Sequence, residues 1–152
     1  MADSTTSKIS ISVPRSAVMA VVADFEAYPQ WADGVRSAEI LSRGGGNDRA
    51  DRVRFALDAG IIKDRFVLRY DWDGDAGVRW TLDPSEPGSV ITELSGGYAL
   101  DDQGASTGVT YDLTIGLRIP VIGMLKRRAE KTIIDTALKG LKTRAENGVG
   151  RS

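Results

Sequence analysis

The chain has 152 residues, 20 of them basic and 21 acidic for a formal net charge of −1, and 41% are hydrophobic. That length and composition fit one globular domain and exclude a disordered chain, while the charge balance gives no general attraction to nucleic-acid phosphates or to an anionic membrane. With no cysteine and no histidine, disulfides, thiol chemistry, imidazole-based triads and ordinary zinc sites are excluded.

Met1 to Ser7 is polar, so no secretory signal is read there, and no segment approaches a membrane span. The expectation is a cytoplasmic protein forming a single domain over 1–152, with about 1–7 and 147–152 as flexible ends. Lys8 to Val13 alternates, with Ile9, Ile11 and Val13 on one face, and predicts the first strand. Pro14 suits the entry to a short helix that Ser16 can cap, and Tyr28-Pro29 is expected to end it, because the residue before a proline is pushed out of the α region.

From Val35 to Thr114 the pattern is one of strands. Gly44-Gly45-Gly46-Asn47-Asp48 is the strongest loop signal; no Lys-Ser/Thr follows and no helix begins there, so it is not a phosphate loop. A two-residue turn at Ala59-Gly60 pairs Leu57 with Ile62, Phe55 with Asp64 and Val53 with Phe66. The apolar residues then share one face with Leu68, Tyr70 and Trp72, leaving Arg52, Arg54, Lys63, Arg65, Arg69 and Asp71 on the wet face. A three-residue loop, Asp73-Gly74-Asp75, keeps Trp80 on the apolar face by pairing Tyr70 with Val78 and Leu68 with Trp80. Asp83 to Gly88 is the next turn. Val90, Thr92, Leu94, Gly96, Tyr98 and Leu100 alternate inward, as do Val109, Tyr111, Leu113, Ile115 and Leu117. These are antiparallel meanders with one apolar face.

Pro120 closes the sheet, and 121–146 reads as one long helix. Its apolar arc, through Ile122, Leu125, Ala129, Ile133, Ile134, Thr136, Ala137, Leu138, Gly140 and Leu141, is wider than the stripe of roughly 100° that a helix lying flat on a surface needs. Such an arc predicts a helix gripped by a concave sheet. The fold class is therefore α+β: a curved seven-stranded antiparallel sheet around a long C-terminal helix, with two short helices after strand 1.

The opening Ala23-Asp24-Phe25-Glu26-Ala27-Tyr28-Pro29-Gln30-Trp31, the turn Leu57-Asp58-Ala59-Gly60, the segment Ile62-Lys63-Asp64, and the run from Ile119 through Lys131, continuing from Asp135 to Leu141, carry a resemblance. In this order, over nearly the whole chain, they resemble the actinobacterial members of the START-like, helix-grip superfamily, in its polyketide cyclase/dehydrase and lipid-transport group. The resemblance implies a hydrophobic pocket between sheet and helix. It does not choose among carriers, cyclases, receptors and co-chaperones.

Ligand contact is expected from Phe55, Phe66, Leu68, Tyr70, Trp80, Tyr98, Tyr111, Ile133, Ala137 and Leu141, around a cavity of roughly 300–1,000 Å³. No catalytic set is assigned. Asp64, on the pocket face, is a candidate acid or base if desolvation raises its pKa; the alternative is that it bonds backbone donors. Tyr70 is a candidate proton donor to a ligand carbonyl, although a buried tyrosine more often supplies bulk. Trp31 reads as a packing anchor or a pocket-mouth residue. Lys126 and Glu130 stand i,i+4 inside the apolar arc, as an ion pair over the pocket entrance or, the preferred reading, an exposed helix pair. Lys126-Arg127-Arg128 is too short a basic cluster to define a partner.

Binding or carriage of a lipid, polyketide or quinone-like molecule asks least of these residues. The alternatives are a polyketide cyclase/dehydratase using Tyr and Asp groups, and a protein-interaction module working through Arg52, Arg54, Arg65 and Arg69. With no histidine and no carboxylate dyad, binding is favoured over catalysis. No cofactor, metal, nucleic acid or integral membrane segment is expected.

Overall fold

The computed structural model describes residues 4–45, 49–59, 62–86, 88–118 and 123–147. Strand β1 (Thr5–Ile11) leads into helix α1 (Arg15–Ala23), a 3-10 turn (Phe25–Ala27) and the one-turn helix α2 (Tyr28–Trp31). Six strands follow: β2 (Val35–Gly45), β3 (Arg49–Ala59), β4 (Ile62–Asp73), β5 (Gly77–Leu82), β6 (Ile91–Asp102) and β7 (Thr107–Leu117). The long helix α3 (Gly123–Glu146) ends the fold. All neighbouring strands pair antiparallel in the order β1-β7-β6-β5-β4-β3-β2. The α+β architecture expected from the hydrophobic pattern is the one observed.

Several details differ from expectation. Thr5 to Ser7, assigned to a flexible end, are strand residues paired with Leu113 to Tyr111. Helix α1 begins at Arg15 with Pro14 in the capping position and no side-chain cap, so Ser16 is not the cap. Pro29 does not end that helix, which stops at Ala23; it sits in the first turn of α2, where a missing N–H removes no helical hydrogen bond. Gly46, Asn47 and Asp48 of the glycine-rich loop, Gly60 of the first turn, and Pro120 and Ile122 lie outside the described residues.

The two hairpins keep the expected faces with shifted pairing. Leu57 faces Asp64 and Phe55 faces Phe66, with pairing running to Ala59–Ile62. Tyr70 faces Trp80 and Trp72 faces Val78, which places the three-residue loop at Gly74-Asp75-Ala76. Gly74 has φ +52°, in the left-handed region where glycine carries no Cβ penalty. Each pairing is two residues from the expected one. A two-residue shift preserves side-chain alternation, so hydrophobic pattern alone could not exclude it. In β6 the inward side does change: pairing slips between Ile91 and Glu93, burying Ile91 and leaving Thr92 exposed and Val90 only half-buried. The irregularity inserts a residue into the alternation there.

The core lies between the concave sheet face and the helices. Phe55, Phe66, Leu68, Tyr70, Trp80, Tyr98 and Tyr111 are buried, while Arg65 and Arg69 are exposed and Arg54 is half-buried. Helix α3 enters this core through Ile134, Leu138, Leu141 and Ala145. Gly140 is where α3 meets α2: a side chain there would collide with the Trp31 carbonyl oxygen. The first turn of α3 is outside the grip, since Leu125, placed in the apolar arc, is 42% exposed and Met124 is 63% exposed.

Candidate functional site

A cavity of about 90 Å³ lies between the sheet and α3. Nine of the ten expected ligand-contact residues line it: Phe55, Phe66, Leu68, Tyr70, Trp80, Tyr98 and Tyr111 from the sheet, and Ile133 and Ala137 from α3. Leu141 does not; it is fully buried in the packing beyond the cavity. The volume is well below the 300–1,000 Å³ expected, because the rings occupy the concavity. Tyr98 and Tyr111 have centroids 4.7 Å apart, Trp80 packs on both at 5.4 and 5.5 Å, and Tyr70 lies 5.8 Å from Trp80.

The lining also contains residues beyond those ten, among them Trp31, one of whose two readings is a pocket-mouth residue. Tyr28 and Trp31 of α2 cover one side, and Leu94, Leu113 and Ile115 come from the inward rows of β6 and β7. Ala32, Asp33, Val35 and Leu57 complete the described lining. Asp33 is exposed, and Val35, Leu57, Ile133 and Ala137 are half-buried, so the cavity opens where the start of β2 and the end of β3 face α3. The alternation of β6 and β7 could have supplied Leu94, Leu113 and Ile115. Tyr28 and Trp31 depend on how α2 folds back, which no periodicity encodes.

All four tyrosines of the chain lie in this wall. Tyr28 donates its hydroxyl to the Val22 carbonyl. The hydroxyls of Tyr70, Tyr98 and Tyr111 make no hydrogen bond with any described residue. Burial, and then the neighbouring phenols, push the pKa of Tyr70 and Tyr98 well above the ordinary phenol value. Burial, then the Asp112 carboxylate, does the same for Tyr111. All three are therefore neutral O–H groups at physiological pH. The Trp31 indole N–H is buried and has no partner among the described residues.

Asp64 follows the second of its two readings, bonding backbone donors rather than standing as a poised acid or base. Its carboxylate accepts the backbone N–H groups of Ser89 at 2.9 Å, Val90 and Ile91 at 2.8 Å, and Arg65 at 2.8 Å. Burial acts to raise its pKa, but the four backbone donors outweigh it and the net shift is downward. It is held as an ionised staple for the β5–β6 connection. Lys126 and Glu130 are not an exposed pair. Glu130 is fully buried, accepting the Thr5 hydroxyl at 2.7 Å and the Ile115 N–H at 2.8 Å, with the Lys126 ammonium 3.9 Å away. On the outer face, Arg52 and Arg54 are paired within the chain: Arg52 with Asp83 and Glu86, and Arg54 with Glu39 and Glu86. Among the described residues no cluster of acidic side chains could hold a metal ion.

A sequence model of the family described as polyketide cyclase/dehydrase and lipid transport matches residues 11–142. The chain belongs to this family. Solved structures share the family's helix-grip architecture. One is a START superfamily protein from Mycobacterium smegmatis, 21% identical, with a TM-score of 0.85 over 95% of this chain and 97% of that one. Another is the ZhuI aromatase/cyclase from Streptomyces sp. R1128, 17% identical, with a TM-score of 0.80 over 98% and 96%. A protein from Thermus thermophilus is 24% identical, with a TM-score of 0.78 over 97% and 99%. No curated protein sequence matches the chain. At these identities the likeness shows the START-like fold, and the family's cavity is where function is to be sought. Among the described residues no helix is long and apolar enough to cross a membrane.

Proposed function

We propose that this member of the polyketide cyclase/dehydrase and lipid transport family binds or carries a hydrophobic small molecule, of lipid, polyketide or quinone-like character, between sheet and α3. The observation that carries the reading is the cavity's composition: an apolar, largely aromatic wall with three phenol hydroxyls that no described residue satisfies. With no protein partner among the described residues, these hydroxyls are left to bond cavity water or a ligand. A fold that needed only a core would fill these positions with phenylalanine. The cavity as it stands holds on the order of three waters, so a larger occupant enters by parting the half-buried mouth residues Val35, Leu57, Ile133 and Ala137.

The catalytic alternative, a polyketide cyclase or dehydratase, draws on the same phenols as proton donors to a ligand carbonyl. It needs a base as well, and Asp33, exposed at the mouth, is the one carboxylate among the described lining residues, Asp64 being committed to backbone donors. Binding without turnover is therefore the reading that the site supports best.

The test is uptake of N-phenyl-1-naphthylamine, a neutral dye that brightens in apolar surroundings. The native protein should show saturable, one-to-one enhancement. Ala137→Leu puts three extra carbons into the cavity and should lower the affinity at least roughly tenfold without loss of fold, because filling empty volume does not overpack. Enhancement that never saturates, or that Ala137→Leu leaves unchanged, would contradict the reading.

A further inference from the structure

Three phenols without a protein partner among the described residues, and the charge of the lining, narrow the class of ligand. Resting on the binding reading above, we infer that the occupant is an uncharged molecule whose buried end is a hydrogen-bond acceptor, such as a carbonyl oxygen, and that the cavity rejects carboxylates of the same shape.

Tyr70, Tyr98 and Tyr111 are gathered around one indole: Trp80 touches all three, at 5.8, 5.4 and 5.5 Å between centroids. A phenol both donates and accepts, but its proton is the feature that a ligand oxygen without hydrogens can use. Burial keeps these protons in place. An acceptor oxygen placed among them takes over the hydrogen bonds that these hydroxyls otherwise give to cavity water. A hydrocarbon of the same outline displaces that water and leaves the hydroxyls unpaired.

A carboxylate has a different problem. Among the described residues that line the cavity there is no lysine or arginine, and the one charged group is Asp33, negative and exposed at the mouth. An ionised ligand would give up its hydration with no opposite charge to receive it, and would pass a like charge on entry. Neutral phenols stabilise an anion far less than an ammonium or guanidinium does. Three donors and no cation select the neutral acceptor.

The test uses three single-ring compounds with substituents of equal heavy-atom count, acetophenone, benzoate and isopropylbenzene, titrated into the full chain at pH 7 and followed by amide chemical shifts. Acetophenone should bind roughly tenfold or more tightly than isopropylbenzene, and benzoate should give no saturable shift. In the Tyr70→Phe/Tyr98→Phe/Tyr111→Phe variant, acetophenone should lose its advantage while isopropylbenzene still binds, which shows the cavity intact. If that variant does not fold, the ranking in the native protein decides alone, with Tyr98→Phe as the single-site check. Benzoate binding within about threefold of acetophenone, or acetophenone binding no more tightly than isopropylbenzene, overturns the inference. It also fails by itself if the dye binds and none of the three compounds does. If the dye does not bind either, the binding reading fails and this inference with it.

Discussion

Glu130 accepts the backbone N–H of Ile115 at 2.8 Å from a fully buried position, and Lys126, one turn earlier on α3, donates to the carbonyl of the same residue at 3.1 Å. Among the described residues the β1–β7 ladder stops at Thr5–Leu113, short of Ile115. Two helix side chains thus satisfy backbone groups that a strand would otherwise pair. Because the Ile115 side chain lines the cavity, the same contact that seats α3 also fixes one of its walls.

Removing the carboxylate should therefore be costly. Glu130→Ala leaves the Ile115 N–H and the Thr5 hydroxyl unpaired and should destabilise the fold by about 3 kcal/mol in urea unfolding, with Glu130→Gln losing less than half of that. Lys126→Met, which removes a partly exposed and more distant charge, should cost about 1 kcal/mol or less. An Ala variant within about 0.5 kcal/mol of the native protein would show that the clamp does not hold the helix.

Gly140→Ala sets helix propensity against packing. In an open helix the change should stabilise by up to about 1 kcal/mol. Here the new methyl meets the Trp31 carbonyl oxygen, so a loss of about 1–3 kcal/mol is expected, with α3 pushed away from α2. A gain in thermal or urea stability would mean that the two helices are not in contact at this point.

The pH limits follow from two sets of groups. All four tyrosines are shifted upward, chiefly by burial. Their protonated forms favour the fold, so that stability is complete below the ordinary phenol pKa of about 10 and falls as pH rises through and beyond it. Absorbance near 295 nm should show almost no phenolate at pH 10.5, then a rise coincident with loss of ellipticity. Gradual ionisation of a tyrosine in the folded state would place its hydroxyl in water. At the acid end, Asp64 is shifted downward and Asp83 to about 2, the latter by the Ser85 backbone and hydroxyl donors and then Arg52 against the opposing effect of burial. Their contribution is present above the usual carboxylate range near 4 and lost as pH falls through it toward 2. Asp64→Asn should flatten the acid limb of the unfolding profile.

Face assignment was legible because alternation is strong: Phe55, Phe66, Tyr70, Trp80, Tyr98 and Tyr111 point inward wherever each hairpin turns. The turn positions were not, since sliding β4 past β3 by two residues returns every side chain to the same face, and only backbone geometry decides between the two registers. The irregularity at Ile91 was hidden for a related reason, as both Val90 and Ile91 are apolar and either could continue the row. The buried state of Glu130 ran against its residue type. Its partners, Thr5 and the Ile115 N–H, are 125 and 15 residues away, beyond any helical pattern. Nine of the ten expected lining residues were within reach of periodicity, but the cavity's volume was not, because it depends on ring orientation rather than on which residues face inward.

Native mass spectrometry of the full chain, purified from the cells that make it and kept in volatile buffer, shows whether the cavity carries a ligand. A population carrying one small molecule per chain is expected, the molecule uncharged and hydrophobic once released, and that population is lost in Ala137→Leu. A protein that flies only as the bare chain, from material that also fails to take up N-phenyl-1-naphthylamine, would contradict the binding reading and leave the cavity as a packing defect among aromatic rings.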